Sequence, residues 1–587
     1  MQVSEPASDL GDFTATPRIL LLVLIALVLG VISAGLSVAL LALIGVFTNL
    51  FYFGRFSIDA VSPAAHHLGA WSLLVPVAGG LVIGVMARFG SDRIRGHGIP
   101  EAIESILLKG SKVEPKLAVL KPVSAAISIG SGGPFGAEGP IIMTGGAVGS
   151  LVAQFFHLTA GERKTLLVAG AAAGMSATFA TPLAAVLLAI ELLLFEWKPR
   201  SFVPVAVASA TAAAARRYLA GLGPLFPVPI HPLAIGPSGL AGCLVVGIGA
   251  GLLSALLTRM VYAAEDGFQK LPVHWMWWPA LGGVAIGIGG LLFPQALGVG
   301  YDTIGALLQG DVPRPTLAGI LLVKSTIWAI ALGSGTSGGV LAPLLMMGGA
   351  LGGVEAAFLP ALGPGFWSLV SMAAILGGTM RSPLTGIIFS LELTHDINMV
   401  LPLLVAVTAA HTLTVLLLKR SILTEKISRR GFHLTREYQV DPLEILFVRE
   451  AMRRTIISLP AAATAADVRA ALASAQRRQR LYPVVSEDGR LVGVCTRQKL
   501  DRWLAGAASQ SPLGPQIALS PVVAHHDEPL RAVVQRMALS GHTRLPVVIN
   551  GTGRLAGMIS LADLLAGRRQ ALEAELRRER VLGFNRM

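Results

Sequence analysis

Cysteine, charged residues and aromatic residues are all scarce in this sequence. Among 587 residues there are only two cysteines, Cys243 and Cys495, and only 14% charged and 6% aromatic residues. Two cysteines so far apart have no metal-ligand spacing and cannot form a disulfide framework, so zinc fingers and disulfide-stapled domains are excluded. The small share of charge also excludes a disordered chain and a coiled coil.

Hydrophobic residues and glycine are abundant instead. The sequence is 53% hydrophobic, contains 67 glycines and has a mean hydropathy of +0.67. An apolar run from Ile19 to about Tyr52 is longer than the ~20 residues that span a bilayer, and later apolar runs are interrupted by Gly, Pro or a single acid. Irregular backbone is tolerated at membrane depth only where it is buried in protein or lines a cavity, so the pattern predicts a multi-pass transporter or channel.

Charged residues become frequent only after about residue 432, which indicates two parts in different solvents. The formal net charge of +13 is typical of basic cytoplasmic loops rather than of a nucleic-acid partner. The predicted domains are an N-terminal segment 1–16, a membrane domain 17–432, a linker 433–447, two soluble repeats 448–510 and 511–570, and a tail 571–587.

The membrane part contains an internal repeat at an offset of 201 to 203 residues (298−96, 333−130 and 382−181). The matching motifs are Gly96-His97-Gly98-Ile99 with Gly298-Val299-Gly300-Tyr301, Gly130-Ser131-Gly132 with Gly333-Ser334-Gly335, and Thr181-Pro182-Leu183 with Ser382-Pro383-Leu384. Glycines placed only for helix packing are the alternative explanation. Three motifs in order favour a duplicated membrane unit with a site between its halves.

A second repeat lies in the soluble part, where Tyr482-Pro483-Val484-Val485 matches Leu545-Pro546-Val547-Val548. Each copy has the pattern strand, turn, strand, helix, and the pair resembles tandem CBS domains, which in many proteins bind adenine nucleotides. Ser560 and Asp563 match the S/T-x-x-D pattern that holds ribose and phosphate in such domains. They predict a half-site for ATP, ADP or AMP, and the alternative is that Asp563 only caps a helix.

Glu138 is the residue that points most directly to function. It stands between glycines in Gly136-Ala137-Glu138-Gly139-Pro140, inside an otherwise apolar stretch. A carboxylate within a membrane segment is costly to bury and therefore marks a candidate functional site. The alternative is a structural carboxylate that pairs with Lys121 or caps a helix.

Three glycine-rich segments, 96–100, 136–140 and 339–343, each resemble a loop that leads into a helix N-terminus. Proline is favoured in the first turn of a helix, and glycine lets backbone N–H groups approach a ligand. Three helix N-termini aimed at one place favour an anion there. The carboxylate of Glu138 would then compete with that anion.

Together these motifs resemble the CLC family of chloride channels and proton-coupled chloride exchangers. Family signatures of the type G-S-G-I-P, G-K/R-E-G-P and G-x-F-x-P stand here as GHGIP, GAEGP and GVLAP. Lys121 falls where the family has a buried lysine, and a C-terminal CBS pair is common in the family. The match covers essentially the whole chain.

The resemblance implies an all-α membrane domain of two inverted repeats followed by a cytoplasmic α/β pair of CBS domains. It implies a homodimer in the bacterial inner membrane, with a pathway for chloride or another small anion in each protomer and no required cofactor. Glu138 would be the gating glutamate, and Lys121 would give electrostatic support. The residues that would bind the anion are His97, Gly98, Ile99, Ala137, Glu138, Gly139, Val340, Leu341 and Leu423, with Val340 and Leu341 acting through their backbone N–H groups.

Four positions depart from the family pattern. His97 stands for a serine, Leu423 for the tyrosine of the central site, and Ala137 for a basic residue. Leu192 follows Glu191 where coupled exchangers often carry a second, inner glutamate. His97 is interpreted as lining the anion site, and a hydrogen-bonded packing residue is the alternative.

Leu192 favours a passive channel or uncoupled transport, and a proton-coupled chloride antiporter is the alternative. A divalent-cation transporter with CBS regulation would need clustered carboxylates, whereas the predicted membrane segments offer only Glu138, Glu191 and Glu392, each isolated. Pro140 disfavours a fluoride-selective variant. No nucleophile or metal constellation indicates an enzyme.

Overall fold

The computed structural model describes residues 16–221, 223–432, 434, 441–473, 479–506, 513 and 517–576. Most of the predicted N-terminal segment 1–16, most of the predicted linker before residue 441, and residues 577–587 of the predicted tail lie outside the described residues. Contacts divide the chain between Arg436 and Glu437 into a membrane unit and a C-terminal unit.

The described part of the membrane unit is helical. Its α-helices are α1 Arg18–Phe53, α2 Leu74–Phe89, α3 Ile99–Leu108, α4 Leu117–Gly130, α5 Glu138–Gln154, α6 Ala160–Phe179, α7 Pro182–Leu188, α8 Pro199–Ala220, α9 Pro237–Gln269, α10 Trp278–Leu292, α11 Tyr301–Gln309, α12 Arg314–Gly319, α13 Ser325–Gly333, α14 Leu341–Glu355, α15 Phe366–Met380, α16 Pro383–Thr394, α17 Val400–Leu417 and α18 Ile422–Arg429. Short π-helical stretches at Ala189–Leu194 and Ile320–Lys324 continue α7 and α12.

Among the described residues, six helical stretches are long and apolar enough to cross a membrane: Arg18–Phe53, Gly69–Phe89, Pro237–Gln269, Trp275–Leu292, Arg314–Gly333 and Ile397–Arg429. Shorter apolar helices, among them α4, α14, α15 and α16, lie between them. Helices too short to span the bilayer alone place their ends inside the protein, where N–H groups can face a buried site.

The two halves of the membrane unit correspond element by element. Gly80 of α2 lies so close to α10 that a Cβ atom there would come within 2.4 Å of the Pro279 carbonyl oxygen. Gly283 of α10 makes the equivalent approach, 2.5 Å from the Pro76 carbonyl oxygen. The offset of 203 residues between these glycines (283−80) matches the repeat in the sequence. The predicted fold class, two inverted helical repeats followed by an α/β pair, is confirmed.

The C-terminal unit contains two small sheets with the same plan. Its strands are β1 Leu459–Pro460, β2 Leu481–Val485, β3 Leu491–Thr496, β4 Ala518–Leu519, β5 Ala524–His525, β6 Arg544–Val548 and β7 Leu555–Ser560. Its helices are α19 Pro442–Ile445, α20 Val448–Ala451, α21 Ala465–Ala473, α22 Arg497–Ala505, α23 Leu530–Ser540 and α24 Leu561–Leu576. The strand orders are β1-β2-β3-β4 and β5-β6-β7.

The two sheets share their register as well as their order. A parallel pair precedes an antiparallel pair in each, and the antiparallel ladder shifts register at Val484/Val485 in one sheet and at Val547/Val548 in the other. Two backbone hydrogen bonds join the copies. Leu491 N donates to the Gly553 oxygen, and Leu555 N donates to the Gly489 oxygen, both at 3.0 Å. The repeat seen in the sequence therefore forms one paired module.

Candidate functional site

Three glycine-rich loops of the membrane unit are joined by backbone hydrogen bonds. Gly136 N donates to the Gly339 oxygen at 3.1 Å, and Gly339 N donates back to the Gly136 oxygen at 2.8 Å. Gly96 N donates to the Thr336 oxygen at 3.2 Å. The loops that begin α3, α5 and α14 therefore meet at one place, as their sequences predicted.

Glycine is required where these loops touch. A Cβ atom at Gly139 would lie 1.8 Å from the His97 carbonyl oxygen, and one at Gly98 would lie 2.7 Å from the Gly139 oxygen. Gly98 also has a φ of +89°, which side chains rarely adopt. A larger residue at either position would separate the N-termini of α3 and α5.

Glu138 is the first residue of α5, and its side chain lies at the start of α14. Its Oε1 accepts a hydrogen bond from Ala342 N at 3.1 Å, while Oε2 has no partner. The residue is fully buried. The N-terminus of a helix offers unpaired N–H groups and a partial positive charge, so the carboxylate occupies a position that suits an anion.

Lys121 does not pair with Glu138, so the pairing part of the structural alternative for Glu138 is wrong, whereas its helix-capping part agrees with the contact to Ala342 N. Its Nζ donates to the Ile94 and Gly96 oxygens, both at 2.7 Å, and to Ser337 Oγ at 3.2 Å. The lysine therefore fixes the backbone of the loop before α3 rather than the carboxylate. Its effect on an anion would be exerted through the loop and through its position.

Lys324 is the equivalent of Lys121 in the second half, and the sequence analysis missed it. Its Nζ donates to the Ala296 and Gly298 oxygens at 2.9 and 2.7 Å. The offset from Lys121 is 203 residues (324−121), so the repeat itself was the signal that could have identified it. Each half fixes the loop of its own Gly-x-Gly motif with a buried lysine.

His97 and Leu423 are the two departures that lie on the α3 side of the loops. His97 is 2% exposed, and its Nδ1 has no hydrogen-bond partner. Leu423 is fully buried near the start of α18, a helix that packs against α3. The Leu423 side chain has no polar atom. Of these two side chains, only His97 can therefore offer a hydrogen bond to a ligand, and its Nδ1 is unpaired.

Glu101 is a second buried carboxylate that the sequence analysis missed. Its Oε2 accepts from Gly98 N at 3.0 Å, and its Oε1 lies 2.8 Å from Lys426 Nζ of α18. Its place directly after the GHGIP motif was the signal in the sequence. The prediction of only three isolated carboxylates in the membrane segments is therefore wrong, because Glu101 and Glu355 also lie in helices of this unit.

Glu191 and Glu392 are engaged by the opposite halves of the repeat. Glu191 accepts from Leu384 N at 3.1 Å and Thr385 N at 2.9 Å, both in the first turn of α16. Glu392 accepts in the same way from two N–H groups in the first turn of α7, at 3.0 and 2.8 Å. Each carboxylate therefore caps a helix of the other half. Leu192 beside Glu191 is fully buried and apolar.

The predicted nucleotide half-site in the C-terminal unit is occupied by internal contacts. Asp563 Oδ2 accepts from Ser560 N at 2.9 Å and from Ser560 Oγ at 2.5 Å, which caps the start of α24. Asp563 Oδ1 accepts from Arg453 Nε at 2.8 Å. Both carboxylate oxygens are therefore already bound, in agreement with the capping alternative. Within the described ranges no cluster of three or more His, Cys, Asp or Glu residues could hold a metal ion.

Comparisons with known proteins agree with this architecture. The family model described as voltage gated chloride channel matches residues 78–414, and the CBS domain model matches residues 448–506 and 517–568. The H(+)/Cl(-) exchange transporter ClcA of Klebsiella pneumoniae is 31% identical over 380 residues, which cover 60% of this chain and 78% of that protein. Chloride channel protein CLC-e of Arabidopsis thaliana is 28% identical over 383 residues, 58% of this chain and 52% of that protein.

Among solved structures, a slow cyanobacterial Cl-/H+ antiporter superposes with a TM-score of 0.63 and 22% identity, covering 71% of this chain and 99% of that chain. At this identity the likeness concerns the fold. The family model covers more than half of the chain, and the loops that it includes meet around a buried glutamate. The chain therefore belongs to the CLC family of membrane anion transport proteins and carries a C-terminal pair of CBS domains.

Proposed function

We propose that this protein exchanges chloride for protons across the membrane, with Glu138 as the gate of an anion pathway in each protomer of a homodimer. The observation that carries the proposal is the position of the Glu138 carboxylate at Ala342 N, the start of α14. The name of the Klebsiella relative, an H(+)/Cl(-) exchange transporter, supports exchange over the passive transport that Leu192 suggested.

An anion and the Glu138 carboxylate compete for the same donors in this proposal. The N–H groups of Val340, Leu341 and Ala342 stand at the N-terminus of α14, where negative charge is favoured. An ionised Glu138 holds this position, and a protonated one has far less affinity for it. Proton binding at Glu138 and anion binding at α14 therefore favour each other, which links the occupancy of the anion site to the protonation of the gate.

The α3 side of the proposed site is formed by His97, Gly98 and Ile99, with Leu423 from α18. Ala137 and Gly139 supply the backbone on either side of Glu138. Because Leu423 offers no hydroxyl, an anion on this side would depend on backbone N–H groups and on His97. We therefore expect a preference among anions that differs from that of relatives with serine and tyrosine at the positions of His97 and Leu423.

Uncoupled anion transport is the second candidate function. Leu192 provides no inner carboxylate, and Glu191 is engaged with α16. Without a carboxylate at position 192, a proton from Glu138 would have to reach the inner solution through water or another donor. This is the structural reason to measure coupling directly.

Reversal potentials of the purified protein in liposomes test the proposal. With a chloride gradient alone and then with an opposing pH gradient, an exchanger shifts its reversal potential with both, while a passive pathway follows chloride alone. A reversal potential that ignores the pH gradient would overturn exchange and support the second candidate. Failure to carry any anion current would overturn both.

We also propose that the CBS pair lies in the cytoplasm and regulates transport. Adenine nucleotide binding at Ser560 and Asp563 would require Asp563 to exchange its contact with Arg453 for one with the ribose. Equilibrium binding of ATP, ADP and AMP to the full-length protein, compared with Asp563→Ala, tests this part separately. Equal binding by the two proteins would exclude this half-site.

A further inference from the structure

Tyr301 presents a buried polar atom that neither the proposed anion site nor the repeat explains. It is the first residue of α11 and follows Gly300, the N-cap residue with a φ of +80°. Its hydroxyl oxygen is shielded from solvent and has no hydrogen-bond partner. A buried hydroxyl without a partner is costly, so a ligand or a second position of a neighbouring group is expected to satisfy it.

The ring of Tyr301 is held by aromatic packing. It stands edge-on to Phe179, with ring centroids 6.4 Å apart and planes at 87°, and it also packs against Phe226 at 6.1 Å. Phe179 is fully buried and Phe226 is nearly so. The ring therefore has little freedom to turn its hydroxyl toward another partner, and the hydroxyl is fixed where it stands.

Backbone geometry places Tyr301 beside the helix that receives Glu138. A Cβ atom at Gly300 would lie 2.9 Å from Met346 Sδ of α14. Met346 is one helical turn from Ala342, whose N–H binds the Glu138 carboxylate. The charge of Glu138 also acts electrostatically on Tyr301. Gly300, which precedes Tyr301, and the Glu138 carboxylate thus approach the first turns of α14 from two different elements.

Resting on the proposed function, we propose that the Tyr301 hydroxyl is the donor that receives the Glu138 carboxylate when an anion displaces it from Ala342 N. Tyr301 is then a positioning residue for the gate. In the resting arrangement Glu138 Oε2 and the Tyr301 hydroxyl both lack a partner, and displacement of the side chain would pair them. A hydrogen bond from a neutral phenol stabilises the ionised carboxylate, so the gate could open without first taking up a proton.

Other ionisable side chains lie around these two residues. His97 lies on the loop before α3, and Lys121 on α4 is bound to that loop. Lys324 is bound to the Ala296 and Gly298 oxygens of the loop before α11, and Asp302, the next residue of α11, is exposed. In α14 the ionisable residue is Glu355, at the far end of the helix. A pH effect that depends on both Tyr301 and Glu138 is therefore separable from His97 by a double-mutant cycle.

The test compares chloride flux in liposomes at acidic and alkaline pH for wild type, Tyr301→Phe, Glu138→Ala and the double variant. Tyr301→Phe keeps the packed ring and removes only the hydroxyl. We expect flux at alkaline pH to fall on the order of tenfold, the size of one hydrogen bond to a charged group, and flux at acidic pH to stay unchanged. In the Glu138→Ala background, Tyr301→Phe should have no effect.

Tyr52→Phe is the matched control, because the buried Tyr52 hydroxyl already donates to the Ser131 oxygen at 3.1 Å. Loss of the Tyr52 hydroxyl should lower thermal stability with no pH-selective change in flux, whereas Tyr301→Phe should not be destabilised.

An effect of Tyr301→Phe on flux that persists with Glu138→Ala would overturn the proposal and make Tyr301 an anion ligand. If Tyr301→Phe changes flux in neither the wild-type nor the Glu138→Ala background, the proposal is also overturned, and water would satisfy the Tyr301 hydroxyl. If Glu138→Ala alone leaves the pH dependence of flux unchanged, the proposed gate has failed, independently of Tyr301.

Discussion

Glu138 is held at the start of α14 by one backbone N–H group, and its second carboxylate oxygen has no partner. A single hydrogen bond in a buried site is enough to localise the side chain but leaves it easy to displace. The adjoining glycines admit the carboxylate, since a Cβ atom at Gly339 would lie 2.6 Å from Glu138 Oε2. These contacts suit the gating role proposed for Glu138, in which the side chain must be both held and released.

Glu138→Gln should abolish the part of the pH dependence of anion flux that arises at this residue. Glutamine has the shape of the protonated acid and carries no charge to compete with the anion, so flux should persist and stay level as pH rises, whereas wild-type flux should increase as pH falls. Flux measured in liposomes over a series of pH values checks this. A folded variant that loses chloride flux yet keeps its pH response would show that Glu138 is structural.

His97→Ser should change anion preference. The unpaired Nδ1 of His97 is buried beside the loops, and a bound anion and a proton on the ring would stabilise each other. In a protein that already carries Glu138→Gln, anion affinity should rise as pH falls, with a coupling of about 1–3 kcal/mol. His97→Ser should remove that rise and shift the preference between chloride and nitrate. Calorimetric titration at two pH values measures both, and identical behaviour of the two proteins would make His97 a packing residue.

At the scale of elements, the two halves of the membrane unit are joined by exchanged helix caps. Glu191 binds the first turn of α16, and Glu392 binds the first turn of α7. A carboxylate at a helix N-terminus satisfies free N–H groups and interacts favourably with the helix dipole. This reciprocal capping explains why Glu191 is a structural residue here rather than a free carboxylate for proton transfer.

Glu191→Gln and Glu392→Gln should each lower stability by about 0.5–2 kcal/mol, because the amide loses the charge that favours the helix N-terminus. Proton coupling should stay unchanged in both. Thermal unfolding in detergent and reversal potentials in liposomes measure the two effects. Glu355→Gln is the control: Glu355 ends α14 and its Oε2 has no partner, so its neutralisation should not destabilise the protein. Altered coupling in Glu191→Gln would assign Glu191 a role in proton transfer.

At the scale of the whole molecule, the chain combines a membrane unit and a C-terminal unit that meet in sequence between Arg436 and Glu437. The three loops of the candidate site all lie before residue 344, and their hydrogen bonds are formed within the membrane unit. The CBS pair has its own hydrophobic cores around Tyr482 and around Val547. The loops of the candidate site and the cores of the CBS pair therefore belong to separate units.

Deleting the residues from Glu437 onward should leave an anion-permeable membrane unit with altered regulation. Chloride flux per protein should remain within about a few-fold of wild type, because the described hydrogen bonds that join the three loops are formed within the membrane unit. Flux from liposomes, normalised to reconstituted protein, checks this. A folded, fully incorporated truncated protein without flux would show that the CBS pair is required for the pathway itself.

The sequence by itself determined the class and the plan of this protein. Hydropathy alone requires membrane helices, since unpaired backbone groups are too costly in lipid, and the repeat near 203 residues requires two related halves. Glu138 could be identified because an acid between glycines in an apolar stretch is rare without a function. Ser560 and Asp563 matched a pattern whose local contacts the sequence could not show.

Only the tertiary structure decided which groups meet. Sequence proximity suggested Lys121 as a partner of Glu138, but the lysine reaches carbonyl groups at Ile94 and Gly96 instead. Glu191 and Thr385 are 194 residues apart, and Glu138 and Ala342 are 204 apart, so neither contact is encoded in a local pattern. Such contacts arise because the two halves fold against each other, and the packing of whole helices, not the propensity of any segment, sets which polar groups are buried together.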